Sequence, residues 1–173
     1  MEKDVLVEKL ERCGAIQFGR FVLTSGAVSD YYIDIKRAST DPETLKLIAE
    51  YMTPFTEDYD LLAGMELGAV PLVVALSLQT NIPYVIIRKE KKQHGTAREI
   101  EGEDVDGKKI LVIEDVTTSG GSVLKAIRIL RENGGIIDKV VVVVDRESGA
   151  SQKLKEIGVT LTPLLTVNDI LKK

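Results

Sequence analysis

Runs of apolar residues, separated by polar turns, divide the chain into alternating strands and helices. Four runs predict strands, namely LLAG (61–64), IPYVIIR (82–88), residues 109–114 and KVVVVVD (139–145). The last run is apolar at nearly every position, which is typical of strands in a parallel sheet that helices cover on both faces. The pattern therefore predicts a buried, mostly parallel sheet.

Apolar residues at helical spacing fill the intervals between these strands. They predict helices over residues 45–52, over residues 72–78 and from Ser122 onwards. Asp41-Pro42 carries the N-cap and first-turn signals of the first helix, and Asn133-Gly134-Gly135 ends the third.

The two ends of the chain give weaker patterns. Residues 5–10 predict an amphipathic helix that ends near Gly14, and residues 21–36 contain two strand-like segments around a Ser/Gly turn. Residues 152–157 and 159–163 predict a last helix and a last strand.

The order of these elements predicts an α/β fold, a doubly wound and mostly parallel sheet flanked by helices. The length fits a single domain over residues 1–173, with the core sheet in residues 41–165 and a small N-terminal subdomain in residues 1–40. Ligands of such sheets bind beyond the carboxyl ends of the strands. The candidate loops are those after residues 64, 88, 114 and 145.

Composition narrows the classes of function. Apolar residues make up 44% of the chain and the net charge is −4, which is the profile of a soluble globular protein and argues against a nucleic-acid partner. No apolar run approaches the roughly 20 residues of a membrane span, and the segment MEKDVLVEKL lacks the apolar core of a signal peptide. The single cysteine, Cys13, excludes an intramolecular disulfide and predicts a cytoplasmic protein. The single histidine, His94, excludes a His-rich metal site.

Two acids and a loop of small residues follow directly after the apolar run ILVI (110–113). Residues 116–122 combine hydroxyl side chains with two glycines, and a helix is predicted to begin at Ser122. Small side chains leave backbone N–H groups uncovered, and a helix N-terminus adds partial positive charge, so the loop predicts a phosphate cradle. It lacks the lysine of a P-loop and the spacing of a dinucleotide-binding loop.

Glu114 and Asp115 would lie beside a ribose attached to a phosphate in this cradle. Carboxylates accept hydrogen bonds from vicinal hydroxyls, directly or through a divalent cation. An ordinary strand end followed by an ordinary turn is the alternative for each residue taken singly. The joint pattern favours a ribose-phosphate site.

RKEKKQHG (88–95) begins a charged segment of about 15 residues, and loops this long inside a domain are usually functional or disordered. One interpretation is a solvated surface hairpin. However, four cations and the only histidine lie within seven residues. This clustering favours a site for a polyanion under a loop that closes as a lid.

The stretch ILVIEDVTTSGGS (110–122) closely resembles the phosphoribosyl diphosphate (PRPP) binding motif of the type I phosphoribosyltransferases. The resemblance implies the fold of that family, in which the N-terminal subdomain is a hood. It also implies that Glu114 and Asp115 hold the ribose hydroxyls. The implied contacts of the 5′-phosphate are Val116, Thr117, Thr118, Ser119, Gly120, Gly121 and Ser122.

RKEKKQHG resembles the catalytic lid of the orotate phosphoribosyltransferases, Arg-Lys-Glu-x-Lys-x-His-Gly. On that match Arg88, Lys89, Lys92 and His94 contact the diphosphate of PRPP. The implied catalytic residues are Lys92, His94 and Asp115. In that family the lid reaches into the neighbouring subunit's site, which implies a homodimer.

FVLTSGAVSDYYIDIK (21–36) resembles the family segment that borders the base pocket, although a plain hairpin is the alternative. The resemblance places the main chain of Tyr32 and Ile33, together with Thr118, at the orotate ring. Thr24 stands where many bacterial members carry a lysine for the diphosphate, a loss that Lys36 would compensate.

Arg146 ends the run VVVVDR and has two interpretations. It could form an ion pair with Asp145 or Glu147. The resemblance instead places it at the base, where its planar fork suits the carboxylate of orotate. In GMELGAVP (64–71), the resemblance places Glu66 and Gly68 at the diphosphate.

The expected activity is transfer of phosphoribose from PRPP to orotate, with Mg²⁺ bound mainly through PRPP and also through Asp115. The product would be orotidine 5′-monophosphate, a precursor of UMP in pyrimidine biosynthesis. A phosphoribosyltransferase for a purine or uracil is one alternative, which the lid pattern and Arg146 disfavour. A PRPP- or nucleotide-sensing regulator with the same fold is another, and a protein for a different phosphorylated ligand is a third. The partners expected are the two small-molecule substrates and a second copy of the chain, with no nucleic acid and no membrane.

Overall fold

The computed structural model describes residues 2–22, 26, 28–90 and 98–172. Its strands are β1 Ile16–Val22, β2 Val28–Ile33, β3 Leu61–Met65, β4 Tyr84–Ile87, β5 Ile100–Gly102, β6 Ile110–Thr117, β7 Lys139–Asp145 and β8 Thr160–Thr166. Its helices are α1 Lys3–Arg12, α2 Ile35–Ser39, α3 Pro42–Met52, α4 Val70–Thr80, α5 Gly121–Glu132, α6 Ala150–Glu156 and α7 Val167–Leu171, with a 3-10 turn at Thr53–Phe55. Within the described residues, none of these helices has the length and apolar composition of a membrane-spanning helix.

Six strands form the central sheet in the order β5-β4-β3-β6-β7-β8. All neighbours in it run parallel except β4 and β5, which are antiparallel. The predicted α/β fold with a mostly parallel, helix-flanked sheet is therefore confirmed. Because β3, β4, β6 and β7 are parallel, the loops that follow them meet at one edge of the sheet.

Both faces of this sheet are buried, because neighbouring residues of each strand point to opposite sides. Leu62 and Leu111 pack on one face, which is covered by α1, α2, α3, α4 and α7. Ala63 and Val112 pack on the other face, which is covered by α5 and α6. The two helical layers hold the strand ends rigidly at the edge where the loops meet.

The N-terminal segment divides its elements between this core and a separate sheet. Strands β1 and β2 form an antiparallel pair of their own. By contrast, Leu6, Leu10 and Ile35 of α1 and α2 are fully buried in the core of the central sheet. The two-stranded sheet is thus anchored to the sheet edge by the helices before and after it.

The structure differs from the sequence prediction in several element boundaries. Strand β6 continues to Thr117, three residues past the predicted end, because it pairs with β7 as far as Asp145. The predicted long loop after β4 contains β5, which pairs with β4 at the edge of the sheet. Helices α2 and α7 were not predicted, since five residues are too few to show a helical period.

Candidate active site

The predicted phosphate cradle is a pocket between the end of β6 and the start of α5. Its volume is about 160 Å³, and it is lined by Glu114 and residues 116–123. Gly120 adopts the left-handed conformation, with φ of 83°, where the chain turns into the helix. Nothing lies within 4 Å of the position that a Cβ on Gly121 would take, so the helix N-terminus is open to a ligand. The first N–H groups of a helix have no partner inside it, and they favour an anion there.

Helix α6 supports the cradle from behind. The ammonium group of Lys153 donates a hydrogen bond to the carbonyl of Ser119, at 3.0 Å. A Cβ on Gly120 would lie 3.3 Å from Ala150, so the turn packs closely on the start of α6. These contacts hold the turn in one conformation before any ligand binds.

Glu114 lines this pocket, and Asp115 is the next residue of the strand, so both acids lie within β6 rather than after it. Glu114 is only 7% exposed, and its carboxylate accepts a hydrogen bond from the N–H of Asp115 at 3.0 Å. Burial, and then the hydrogen bond and negative charge of Asp115, raise the pKa of Glu114 to about 9. Glu114 therefore carries a proton at neutral pH, and it can donate a hydrogen bond to a hydroxyl as well as accept one.

The loop between β3 and α4 lies directly against Asp115. A Cβ on Gly68 would stand 2.1 Å from Oδ2 of Asp115, a distance that no side chain tolerates. Any other residue here would force the Asp115 carboxylate or the loop to move, which explains the glycine noted in GMELGAVP. The Glu66–Leu67 peptide bond in this loop is cis.

Lys36 reaches the same acid from α2. It pairs with Asp34 at 3.1 Å. The hydrogen bond to Asp34 and the charges of Asp34 and Asp115 raise the pKa of Lys36. The charge of Lys36 thus interacts with that of Asp115, while its compensation for Thr24 at the diphosphate stays a prediction.

Arg88 and Lys89 follow β4 at the neighbouring strand end. The guanidinium of Arg88 donates to Glu101 of β5, at 3.2 Å. The N–H of Lys89 donates to Oε1 of Glu66 at 2.6 Å, and the ammonium group of Lys125 donates to the Lys89 carbonyl. Lys89 therefore lies beside the loop that touches Asp115, whereas the guanidinium of Arg88 is paired with Glu101.

Lys92, His94 and Thr24, which the sequence singled out, lie outside the described residues.

Arg146 lies across the edge of the sheet from these cations. Its guanidinium stacks on the ring of Tyr31, 5.2 Å from the centroid, and its Nη2 lies 3.4 Å from the Tyr31 hydroxyl. Asp145 is buried and accepts instead from the hydroxyl of Thr117 at 3.0 Å and from the N–H of Glu147. Within the described residues Arg146 has no ion pair, so its fork is available to a carboxylate.

Tyr32 and Ile33 lie at the end of β2, in the separate sheet. Tyr32 is 42% exposed, and its ring lies 5.7 Å from that of Phe21. Tyr31, which the sequence did not single out, is the residue of β2 that contacts Arg146 across the edge.

The family model of the phosphoribosyl transferase domain matches residues 40–168 of this chain. The orotate phosphoribosyltransferase of Methanocaldococcus jannaschii is 50% identical over 170 residues, which cover 98% of this chain and 97% of that protein. The chain belongs to the orotate phosphoribosyltransferase family. Among solved structures, it is similar to orotate phosphoribosyltransferase from Aeropyrum pernix, with a TM-score of 0.88, 33% identity and 96% of each chain covered.

A second solved member of the family was captured with a ligand. Orotate phosphoribosyltransferase of Mycobacterium tuberculosis in complex with PRPP has a TM-score of 0.82 to this chain and 30% identity. The match covers 98% of this chain and 99% of that one. The likeness extends over the whole described fold, including the edge of the sheet where the predicted site lies.

In this member of the orotate phosphoribosyltransferase family, one sheet edge brings together most of the predicted site residues. Thr117 is an exception, because its buried hydroxyl donates to Asp145 and its carbonyl accepts from the Arg146 N–H at 2.9 Å. Thr118, Ser119, Gly121 and Ser122 are exposed at the cradle. The supporting residues Lys125, Lys153 and Tyr31 were missed, since only the folded chain brings them to the loops they hold.

Proposed function

We propose that the protein transfers the 5-phosphoribosyl group of PRPP to N1 of orotate, in pyrimidine biosynthesis. The products are orotidine 5′-monophosphate and diphosphate. One observation carries the proposal, which is the pocket formed by Glu114 and the cradle at the start of α5, with the second acid, Asp115, next to Glu114 in β6. A ribose 5-phosphate needs both groups, side by side and in this order.

The cradle and the acids would fix the sugar before reaction. Main-chain N–H groups at residues 118–122 bind the 5′-phosphate, while Glu114 and Asp115 hold the two ribose hydroxyls. Holding the anomeric carbon in place converts a bimolecular reaction into an effectively unimolecular one. This orientation is the first contribution of the chain's own residues to the rate.

The leaving diphosphate is the place where negative charge grows. The bond from the anomeric carbon to the diphosphate oxygen breaks and its electron pair leaves with the diphosphate, while N1 of orotate, which has given up its proton, forms the new bond to the anomeric carbon. Arg88 and Lys89, supplemented by Lys92 and His94 on the family pattern, neutralise that charge. His94 can also deliver a proton to the diphosphate.

The base would bind between the hood and the sheet. Arg146 has no ion pair within the described part of the chain and offers two parallel N–H groups to the carboxylate of orotate. The main chain of Tyr32 and Ile33, with Thr118, would border the ring. Uracil and the purines have no carboxylate, so they gain nothing from Arg146.

We propose Mg²⁺ as the cofactor, bound jointly by substrate and protein. Within the described residues, no group of three or more His, Cys, Asp or Glu side chains forms a metal site by itself. Mg²⁺ usually binds through one or two carboxylates and the oxygens of a phosphorylated substrate, and Asp115, beside the pocket residue Glu114, would supply such a carboxylate. When bound, the ion adds positive charge beside the departing diphosphate.

A homodimer is proposed as the working assembly. Leu78 on α4 and Leu67 before it are 78% and 72% exposed, and α4 is apolar on nearly all sides. Such a helix is normally covered on both faces.

Leu78→Glu should shift the protein from dimer to monomer in sedimentation velocity, and a monomeric wild type at assay concentrations would contradict the proposal. The exchange of the lid between subunits rests on Lys92 and His94, outside the described residues.

The cytoplasm is proposed as the location of the protein. Cys13 is unpaired and half-buried, as expected in a reducing compartment.

Loss of orotate absorbance with PRPP and Mg²⁺ tests the proposed activity, with uracil, adenine and hypoxanthine assayed separately in parallel. We expect turnover with orotate, and rates at least a hundredfold lower with the other bases, because truncating a buried charge contact costs several kcal/mol. Turnover of a purine without turnover of orotate would contradict the proposal and identify the protein as a purine phosphoribosyltransferase instead.

A further inference from the structure

The main chain of Lys89 is held on both sides by charged side chains from two other elements. Glu66, in the loop between β3 and α4, accepts a hydrogen bond from the Lys89 N–H at 2.6 Å. Lys125, on α5, donates from its ammonium group to the Lys89 carbonyl. The pairing of β4 with the segment before β5 ends at the hydrogen bond from the Arg88 N–H to the Glu99 carbonyl. Lys89 is the first residue beyond that pairing.

Neither side chain is engaged in an ion pair within the described part of the chain. Lys125 is half-buried and lies one turn beyond Gly121, so a cation there has a high cost of desolvation unless it is hydrogen-bonded. Glu66 is also half-buried, two residues before the glycine that touches Asp115. Each therefore directs its charge at a peptide group of Lys89, and charge-assisted hydrogen bonds are stronger than neutral ones.

Fixing both peptide groups of a residue fixes the direction of its Cα–Cβ bond. The two side chains come from the cradle helix and from the loop against Asp115, so they tie the orientation of Lys89 to the two elements that hold the sugar. The Lys89 side chain itself is exposed. Because its four-carbon stem leaves the main chain in a fixed direction, the region that its ammonium group can reach is restricted.

We propose that Lys125 and Glu66 are positioning residues, which act through the main chain of Lys89 to direct its ammonium group at the leaving diphosphate. The inference rests on the proposed phosphoribosyl transfer. Because the diphosphate carries more negative charge in the transition state than in bound PRPP, loss of this orientation lowers kcat more than it weakens the binding of orotate.

Four single variants test the contact on each side of Lys89. Lys125→Met removes the donor and Lys125→Arg restores one, while Glu66→Leu removes the acceptor and Glu66→Gln restores one. We expect Lys125→Met and Glu66→Leu to lower kcat about tenfold, the scale of a lost hydrogen bond to a charged group, with KM for orotate unchanged. Lys125→Arg and Glu66→Gln should remain within about threefold of the wild type. Lys155→Met, at an exposed position of α6, is the matched control and should leave kcat unchanged.

The decisive comparison repeats Lys125→Met in a Lys89→Ala background. If Lys125 acts through Lys89, it has no ammonium group to orient in the Lys89→Ala protein. Adding Lys125→Met to Lys89→Ala should therefore reduce kcat by less than about twofold. Full multiplication of the two losses would overturn the inference, as would a Lys125→Arg variant as slow as Lys125→Met. If Lys125→Met fails to fold, the same cycle with Glu66→Leu decides. A wild type without orotate turnover would instead overturn the proposed function, and the inference with it.

Discussion

At Glu114, burial and a neighbouring carboxylate act in the same direction. The folded protein holds a proton on this group more tightly than the unfolded chain, whose pKa lies near the ordinary value of 4.5. Between pH 4.5 and about 9 the folded state therefore binds more protons than the unfolded state. The free energy of unfolding contributed by this group falls as the pH rises through that window.

Glu114→Gln should remove this dependence, since an amide has no proton to lose. We expect the ligand-free variant to melt at a higher temperature than the wild type at pH 8.5, by about 2–4 °C for each kcal/mol gained. The difference should shrink at pH 5.5, where Glu114 is protonated in the folded protein. Differential scanning calorimetry at the two pH values checks this, and an equal difference at both would contradict the raised pKa.

Gly68 leads to a prediction from packing alone. Gly68→Ala would place a methyl group 2.1 Å from Oδ2 of Asp115, so the acid or the loop must move. We expect kcat/KM for PRPP to fall at least tenfold, as misplacement of about 1 Å at a reacting group allows. In an Asp115→Ala background the same substitution should cost little more. Near-normal activity of Gly68→Ala would show that Asp115 need not hold its position.

At the scale of elements, the site depends on the passage from β6 through the cradle into α5. The apolar runs predicted β3, β6 and β7, and the glycine-rich loop predicted a phosphate site, because both signals are local. The extension of β6 to Thr117 was not predictable, since it depends on pairing with β7 and on the bond from Thr117 to Asp145. The short strand β5 likewise exists through its pairing with β4.

Helix α6 should matter to phosphate binding although it lines none of the pocket. Lys153→Met removes the hydrogen bond to the Ser119 carbonyl and loosens the turn. We expect KM for PRPP to rise about three- to tenfold with kcat nearly unchanged, the effect of one exposed hydrogen bond. Lys155→Met on the same helix is the control in the initial-rate assays. Equal KM values of the two variants for PRPP would show that α6 does not contribute to phosphate binding through Lys153.

At the scale of the whole molecule, the site is completed where the two-stranded sheet faces the central one. Tyr31 of β2 supports Arg146, which follows β7, although 115 residues separate them in the chain. The family resemblance of the segment VVVVDRESG placed Arg146 at the base, whereas its position after an apolar strand left an ion pair as the alternative. Sequence patterns gave no sign of Tyr31, because its role depends on how the N-terminal helices anchor β1 and β2 against the edge of the sheet.

Orotate binding should therefore respond to Tyr31. Tyr31→Ala removes the ring under the Arg146 guanidinium, and we expect KM for orotate to rise about fivefold, the scale of one cation–π contact, while KM for PRPP stays constant. Tyr31→Phe keeps the ring and should behave much more like the wild type. Steady-state kinetics with each substrate varied would contradict this if Tyr31→Ala changed only KM for PRPP.

The central claim is that this sheet edge joins phosphoribose to orotate in preference to other bases. The most direct measurement offers orotate, uracil, adenine and hypoxanthine together, at equal concentrations, with limiting PRPP and Mg²⁺, and identifies the nucleotides formed by mass spectrometry. The account predicts orotidine 5′-monophosphate as at least about 97% of the nucleotide product, in line with a hundredfold preference over each of the three other bases. A product mixture dominated by any other nucleotide, or unreacted PRPP, would contradict it.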